Sequence, residues 1–249
     1  MTGLSGTEIF ARYAYAPNRL GYCGPPEATA LRDGAPEQVR AAARRFSGAW
    51  PYLRVMSRMT GIADPLDPRL VESYWLGGGL GAQLDAAEFT AELLSLIGPL
   101  AGQYWAHLTA DLAGEAAANH CFHVFGVYPW SRFLGKGMDG HPLHVLDSCR
   151  IGWGTIVERS GDDISITGPR LVWDDHVLRL SEPSEQHAVI DGFGSEATIG
   201  DQVAVHWGRL CGRLDSAQVR DLQTSTEHQL LATNRRLAGG APSSVPKDG

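Results

Sequence analysis

No stretch of this 249-residue chain reaches the roughly 20 consecutive apolar residues that a membrane-spanning helix needs. Its first residues, MTGLSGTEIFARYAYAP, lack the basic segment ahead of an apolar run that marks a signal peptide, so a cytoplasmic protein is expected. Cysteine is scarce. Cys23, Cys121, Cys149 and Cys211 form no CxxC pair, which excludes zinc-ribbon and thioredoxin-type motifs and leaves reduced thiols. An excess of positive charge is also missing: the formal net charge is -7, and both halves are mildly acidic, which argues against nucleic acid as a partner. Lysine is confined to Lys136 and Lys247, which reads as a coding bias rather than chemistry. The glycine run Gly77–Gly81 has neither the Lys-Ser/Thr of a P-loop nor a strand leading into it, and is read as a flexible connector. No Gly-x-Ser-x-Gly or cysteine-hydrolase signature is present.

What remains is globular in composition, 43% hydrophobic and 20% charged. The first 135 or so residues read as helices. Ser5 to Glu8 has capping-box spacing ahead of Ile9, Phe10, Tyr13 and Ala14. The segment from Pro36 to Met59 puts Val39, Ala43, Phe46, Trp50 and Leu53 on one face, with a break expected at Pro51 and Arg40, Arg44 and Arg45 on a solvated edge. Asp85 opens a helix carrying Phe89, Leu93, Leu96, Ile97, Leu100, Tyr104 and Leu108, bent at Pro99. Gly135 to Pro142 reads as a turn-rich connector, with His141 and His144 in a solvated linker.

Past that connector the pattern changes. Ile151–Glu158, Ile164–Thr167, Leu171–Trp173, Val177–Leu180, Ala188–Ile190 and Val203–Trp207 are short, β-branched-rich runs separated by turn residues. They predict a small barrel. Asp215 or Ser216 then caps a helix with Val219, Leu222, Thr226, Leu230 and Leu231 as its packed face, followed by a small, polar tail. The expected architecture is α+β: a mainly helical domain over residues 1–140, a β-barrel with a C-terminal helix over 146–238, and a disordered tail over 239–249.

Two segments of the second half resemble the HypC (HupF) hydrogenase maturation chaperones. The first is Cys149-Arg150-Ile151-Gly152-Trp153-Gly154, in which the Cys and the last Gly keep the spacing of the family's N-terminal segment and a β-type run follows. The second is Gly200-Asp201, an apolar strand, then His206-Trp207-Gly208 and a helix opened near Asp215. Cys149 to Arg236 is about one HypC-sized unit. The resemblance implies an OB-like barrel with a helix. It implies a transiently carried Fe(CN)2CO fragment held by Cys149 and His206, and a HypD-like scaffold or a hydrogenase large-subunit precursor as partner. It also implies that Cys149 is accessible on the barrel surface. The chemistry is consistent, because a soft thiolate suits low-spin iron with π-acceptor ligands and a neighbouring imidazole can orient the guest.

A second possible metal site is His120-Cys121-Phe122-His123. Residues three apart share a helix face, so His120 and His123 could hold one ion, whereas Cys121 points about 100° away from His120. Cys23 or His107 could supply a further ligand. These residues support the alternative reading of a thiol- or metal-dependent enzyme. The stretch Arg12 to Pro25, rich in Tyr and Arg, could be a docking surface or a pocket whose arginines face anionic groups; otherwise Tyr13 anchors the core and Asn18, Gly21, Gly24 and Pro25 shape a loop. Cys211 is expected to be a packing thiol.

Overall fold

The computed structural model describes residues 3–26, 29–98 and 107–239. Helix α1 (Gly6–Arg19) begins at a complete capping box: Ser5 accepts from the Glu8 N–H, and the Glu8 carboxylate accepts from the Ser5 N–H at 2.8 Å. The box orients a helix whose Ile9, Phe10, Tyr13 and Ala14 are all fully buried. Burying a side chain as large as Phe10 stabilises the fold by about 1.5–3 kcal/mol. After the short α2 (Ala30–Asp33), the segment expected to break at Pro51 breaks earlier. α3 runs Pro36–Ala43 and α4 runs Ala49–Thr60. Pro51 sits in the first turn of α4, where its missing N–H would have had no helical partner. Of the arginines placed on a solvated edge, Arg40 instead forms a two-pronged pair with Asp64, at 2.7 and 2.9 Å.

Helix α5 (Pro68–Leu76) is capped by Asp67 and stops at Gly77. The glycine run that follows is a close-packed crossing rather than a flexible connector. Gly77, Gly78 and Gly79 all have positive φ, and a Cβ on Gly78 would lie 2.2 Å from the Asp221 carboxylate carbon. Asp85 caps α6 (Ala86–Ile97); the continuation read through Pro99, Leu100 and Tyr104 lies outside the described residues. Asn119 caps a single turn, α7 (His120–Phe122), which passes into a π-helical turn, His123–Val127. The turn-rich connector gives way at Gly140 to α8 (Gly140–Cys149), so that His141 and His144 are exposed helical residues.

Seven strands follow: β1 (Gly152–Ser160), β2 (Asp163–Gly168), β3 (Leu171–Asp174), β4 (Val177–Leu180), β5 (Ser184–Val189), β6 (Gln202–His206) and β7 (Arg209–Arg213). Five of them form a mixed sheet whose pairing runs β1-β2-β5-β7-β6 and back to β1. All joints are antiparallel except β5 to β7, a single parallel bridge at Val189 and Arg209. Strands β3 and β4 make a separate hairpin. Gly154 and Gly168 lie where β1 and β2 cross most tightly: a Cβ on Gly168 would fall 2.1 Å from the Trp153 carbonyl oxygen. β6 and β7 are joined by a two-residue turn with both central residues at positive φ, Trp207 at 52° and Gly208 at 69°. That turn type needs a residue tolerant of the left-handed region, and Gly208 supplies it.

The last helix, α9 (Ser216–Gly239), starts where the Asp215 carboxylate accepts from the N–H groups of Ala217 and Gln218. Its buried face holds Leu222, Thr226 and Leu230, while Leu231 is 64% exposed, against the expected face. The tail beyond Gly239 lies outside the described residues. Among the described residues, no helix is long and apolar enough to cross a membrane. A core of Ile156, Ile164, Ile166, Ala188, Val203 and Leu210 fills the sheet. A larger core joins α1, α4 and α5 to Ile151, Trp153, Ala204, Cys211, Leu214 and Leu222. The helices and the strands therefore pack on one another through a continuous apolar contact.

Candidate metal centre

Cys149 is the last residue of α8, and the chain turns sharply after it into β1. Buried Arg150 fixes that turn. Its Nε and Nη2 donate to Asp147 Oδ1 at 3.0 and 2.9 Å, and Nη2 also donates to the Pro169 carbonyl at 2.7 Å. The Trp207 N–H donates to the Ser148 carbonyl at 2.9 Å, tying the β6–β7 turn to the end of α8. These bonds bring His206, the last residue of β6, alongside Cys149. His120 arrives from α7.

One ligand atom from each of His120, Cys149 and His206 lies within 4.8 Å of the other two. Ligands bonded at about 2.0–2.3 Å in a tetrahedral site sit roughly 3.5 Å apart, so these atoms would have to draw closer to share one ion. Both imidazoles are oriented by backbone carbonyls, which can only accept. His206 Nδ1–H donates to the Tyr13 carbonyl at 2.7 Å, leaving Nε2 buried and without a partner. His120 Nε2–H donates to the Cys149 carbonyl at 2.9 Å, and its Nδ1 faces the Tyr74 hydroxyl at 3.3 Å. At His206, one ring nitrogen is anchored to the backbone and the other keeps its lone pair, the arrangement that metal-binding histidines use, whereas at His120 both nitrogens have a partner.

Burial sets the charge states. It pushes His206 down to about 4 and His120 well below its ordinary value, with the neighbouring histidines adding to the depression at His120. Both rings are therefore neutral, the form that binds metal. Burial pushes the Cys149 thiol up to about 12; nearby Cys23 adds to the rise, and the Trp207 indole N–H opposes it. The resemblance placed this thiol on an exposed surface, whereas it is 7% exposed and opens into a cavity. The correction has a local cause: Cys149 ends α8 and packs in a core with Val124, Phe125, Leu146 and Leu171.

The cavity measures about 330 Å³, and its walls include Tyr22, Cys23, Trp75, His123, Trp130 and Trp207. Among the described residues that line it there is no Asp, Glu, Lys or Arg. Tyr22 stacks on Trp207 with ring centroids 3.8 Å apart. Asn18 shapes the loop that carries Tyr22 and Cys23, donating to the carbonyls of Cys23 and Pro25 at 2.9 and 2.7 Å. The arginines of this stretch do not face the cavity: Arg12 pairs with Glu196, and Arg19 with Asp191.

The second cluster read from the sequence is divided by the structure. His120 joins Cys149 and His206. His123 and Cys23 line the same cavity, with the Cys23 thiol pushed up to about 12 by burial. Cys121 turns away toward α9, its sulfur 4.0 Å from the Thr226 hydroxyl. His107 is occupied elsewhere, donating from Nε2 to the Val127 carbonyl at 2.8 Å. Cys211 is fully buried in the shared core. Sequence reasoning missed the parts played by Tyr13, Tyr74 and Trp207. Trp207 had a signal, since it occupies the variable place of the His-x-Gly turn, but the Tyr13 carbonyl had none.

Comparison with curated proteins and with solved structures returned no match. Residues 2–240 match a protein family throughout, and the chain belongs to that family, DUF6390, described as a family of unknown function.

Proposed function

We propose that this protein is a carrier or assembly factor for an iron cofactor precursor, of the kind that HypC chaperones provide in [NiFe]-hydrogenase maturation. It would act in the cytoplasm, with a HypD-like scaffold or a hydrogenase large-subunit precursor as partner. The observation that supports this reading is the convergence of Cys149 and His206, the two residues on which the resemblance rests, with His120 beside them. A thiolate and neutral imidazoles suit iron carrying π-acceptor ligands. An aromatic, uncharged cavity of about 330 Å³ has room for diatomic ligands on that iron. Few protein ligands leave coordination positions open, as a cargo that must be handed on requires.

A second reading rests on His120. Three protein ligands with one open position is the plan of a catalytic zinc site, which would make the protein a metal-dependent enzyme. The described cavity wall offers no carboxylate, so on this reading the general base would be a histidine, His123 being the one outside the cluster.

The test is purification after co-expression with hydrogenase maturation genes, followed by metal analysis and infrared spectroscopy. The carrier reading expects iron together with metal-bound CO and CN bands, and their loss in Cys149→Ala. Stoichiometric zinc without those bands would favour the enzyme. A chain that holds no metal under any condition would sink both.

A further inference from the structure

His123 was read from the sequence as a possible ligand beside His120, yet it stands outside the cluster of His120, Cys149 and His206. It is 5% exposed and lines the cavity that holds the Cys149 cluster. Neither ring nitrogen has a hydrogen-bond partner among the described residues. A neutral imidazole carries one N–H and one lone pair, so the ring can donate one hydrogen bond and accept another. A buried donor left unpaired is costly, and native interiors keep such groups where an ion, a water or a ligand completes them.

The surroundings hold the ring in place. The π-helical turn that begins at His123 sets it 6.0 Å from the His120 ring, centroid to centroid. Tyr128 and Tyr52 pack on it at 4.4 and 5.4 Å. Gly48 lies against the tip of the ring: a Cβ there would fall 2.8 Å from His123 Nε2, so Nδ1 is the nitrogen turned away from it. π-turns of this kind recur at functional sites.

Charge supplies the second argument; it rests on the reading of the site as a metal centre and applies to a bare divalent ion, not to an iron fragment that already carries its cyanides. A divalent ion bound by one thiolate and two neutral imidazoles keeps a net charge of +1. The described cavity wall has no carboxylate to balance it, and an uncompensated charge in an apolar interior is strongly disfavoured. An anion bound to the metal on its open side would cancel the excess. We propose that His123 is the hydrogen-bond donor reserved for that anion, so that the site accepts a metal ion together with a small linear anionic ligand of the cyanide or azide class.

The experiment uses the full chain loaded with Co(II), whose visible bands report coordination, titrated with azide. Wild type is compared with His123→Phe, which keeps the ring volume, and His123→Gln, which restores an N–H donor. Cobalt affinity should agree among the three within about threefold. Azide affinity should fall by about tenfold or more in His123→Phe, the scale set by a hydrogen bond to a charged group, and recover in part in His123→Gln. Unchanged azide affinity in His123→Phe overturns the proposal and leaves the metal centre standing. Loss of cobalt in both variants makes His123 a direct ligand and also overturns it. If His123→Phe fails to fold, His123→Gln and His123→Leu decide the matter by the same comparison. A wild-type chain that binds no cobalt removes the metal centre, and this inference with it.

Discussion

Replacing Arg150 by Met should show how the end of α8 is held. Arg150 is 2% exposed, and its guanidinium spends three hydrogen bonds on Asp147 and the Pro169 carbonyl. Removing it leaves the Asp147 carboxylate, only 10% exposed, with Arg170 at 3.1 Å and the Leu171 N–H at 2.8 Å. Breaking one side of a buried ion pair costs about 3–5 kcal/mol, and the surviving contacts place this case near about 3 kcal/mol. With a urea dependence of about 3 kcal/mol per molar, the unfolding midpoint should fall by about 1 M. The double variant Asp147→Leu/Arg150→Met removes both charges. It should recover much of the loss, short of about 1 kcal/mol for the stranded Leu171 N–H. Because Cys149 precedes Arg150, Co(II) affinity should weaken in the single variant as well. Urea unfolding followed by circular dichroism, with a cobalt titration of each variant, measures all three quantities. A single-variant loss below about 1 kcal/mol, or strictly additive losses in the double variant, would refute the reasoning.

Three further outcomes are expected. Zinc binding near neutral pH should release one proton per ion, because the Cys149 thiol is raised to about 12 and His206 is lowered to about 4. Affinity should therefore climb about tenfold per pH unit from about pH 6 to about pH 10, and calorimetry in buffers of different ionisation enthalpy would expose any other stoichiometry. Gly208→Ala should cost about 1 kcal/mol, since open space surrounds the position and only its φ of 69° resists a side chain; Gly208→Asn should cost less, which thermal unfolding can resolve. The hydrogen bond from Arg40, aided by the Leu66 N–H, holds Asp64 below its ordinary value. A depressed carboxyl stabilises the fold at pH above its unfolded value and loses that contribution as pH falls through the folded one. Asp64→Asn should therefore flatten stability below about pH 4, by well under 1 kcal/mol because the pair is solvent-exposed; acid unfolding curves that superimpose would contradict this.

The α+β order, the first capping box, five of the seven strands and the last two residues of β5 were legible in local patterns. Ser5 and Glu8 satisfy donors three residues apart, and alternating β-branched runs declare themselves over a few positions. β7 was not read because Arg209-Leu210-Cys211-Gly212-Arg213 has neither alternation nor β-branched residues. It is a strand because the tight turn at Trp207 and Gly208 folds it onto β6. α8 was hidden by Gly140 and Pro142, which read as turn residues but are tolerated in a first turn, where N–H groups need no helical partner. The closeness of Cys149 and His206 was suggested by the resemblance, whereas His120, read from the sequence as a partner of His123, joins them with no local signal. Its contribution depends on α7 packing against α5 and on the Tyr74 hydroxyl, contacts between residues far apart in the chain. The separation of Cys121 from the cluster did follow from helix geometry, since neighbours on a helix point about 100° apart.

One bond spans almost the whole polypeptide: the carbonyl of Tyr13, in the first helix, holds the ring of His206, near the end of the sheet. During synthesis, the amino-terminal helices leave the ribosome long before the strand that bears this imidazole. A newly made chain therefore has no finished pocket to offer an ion until its last strands have docked against its first helix. Capture of metal would then report completed folding, and cleavage between α8 and β1 would leave each fragment with only part of the grip.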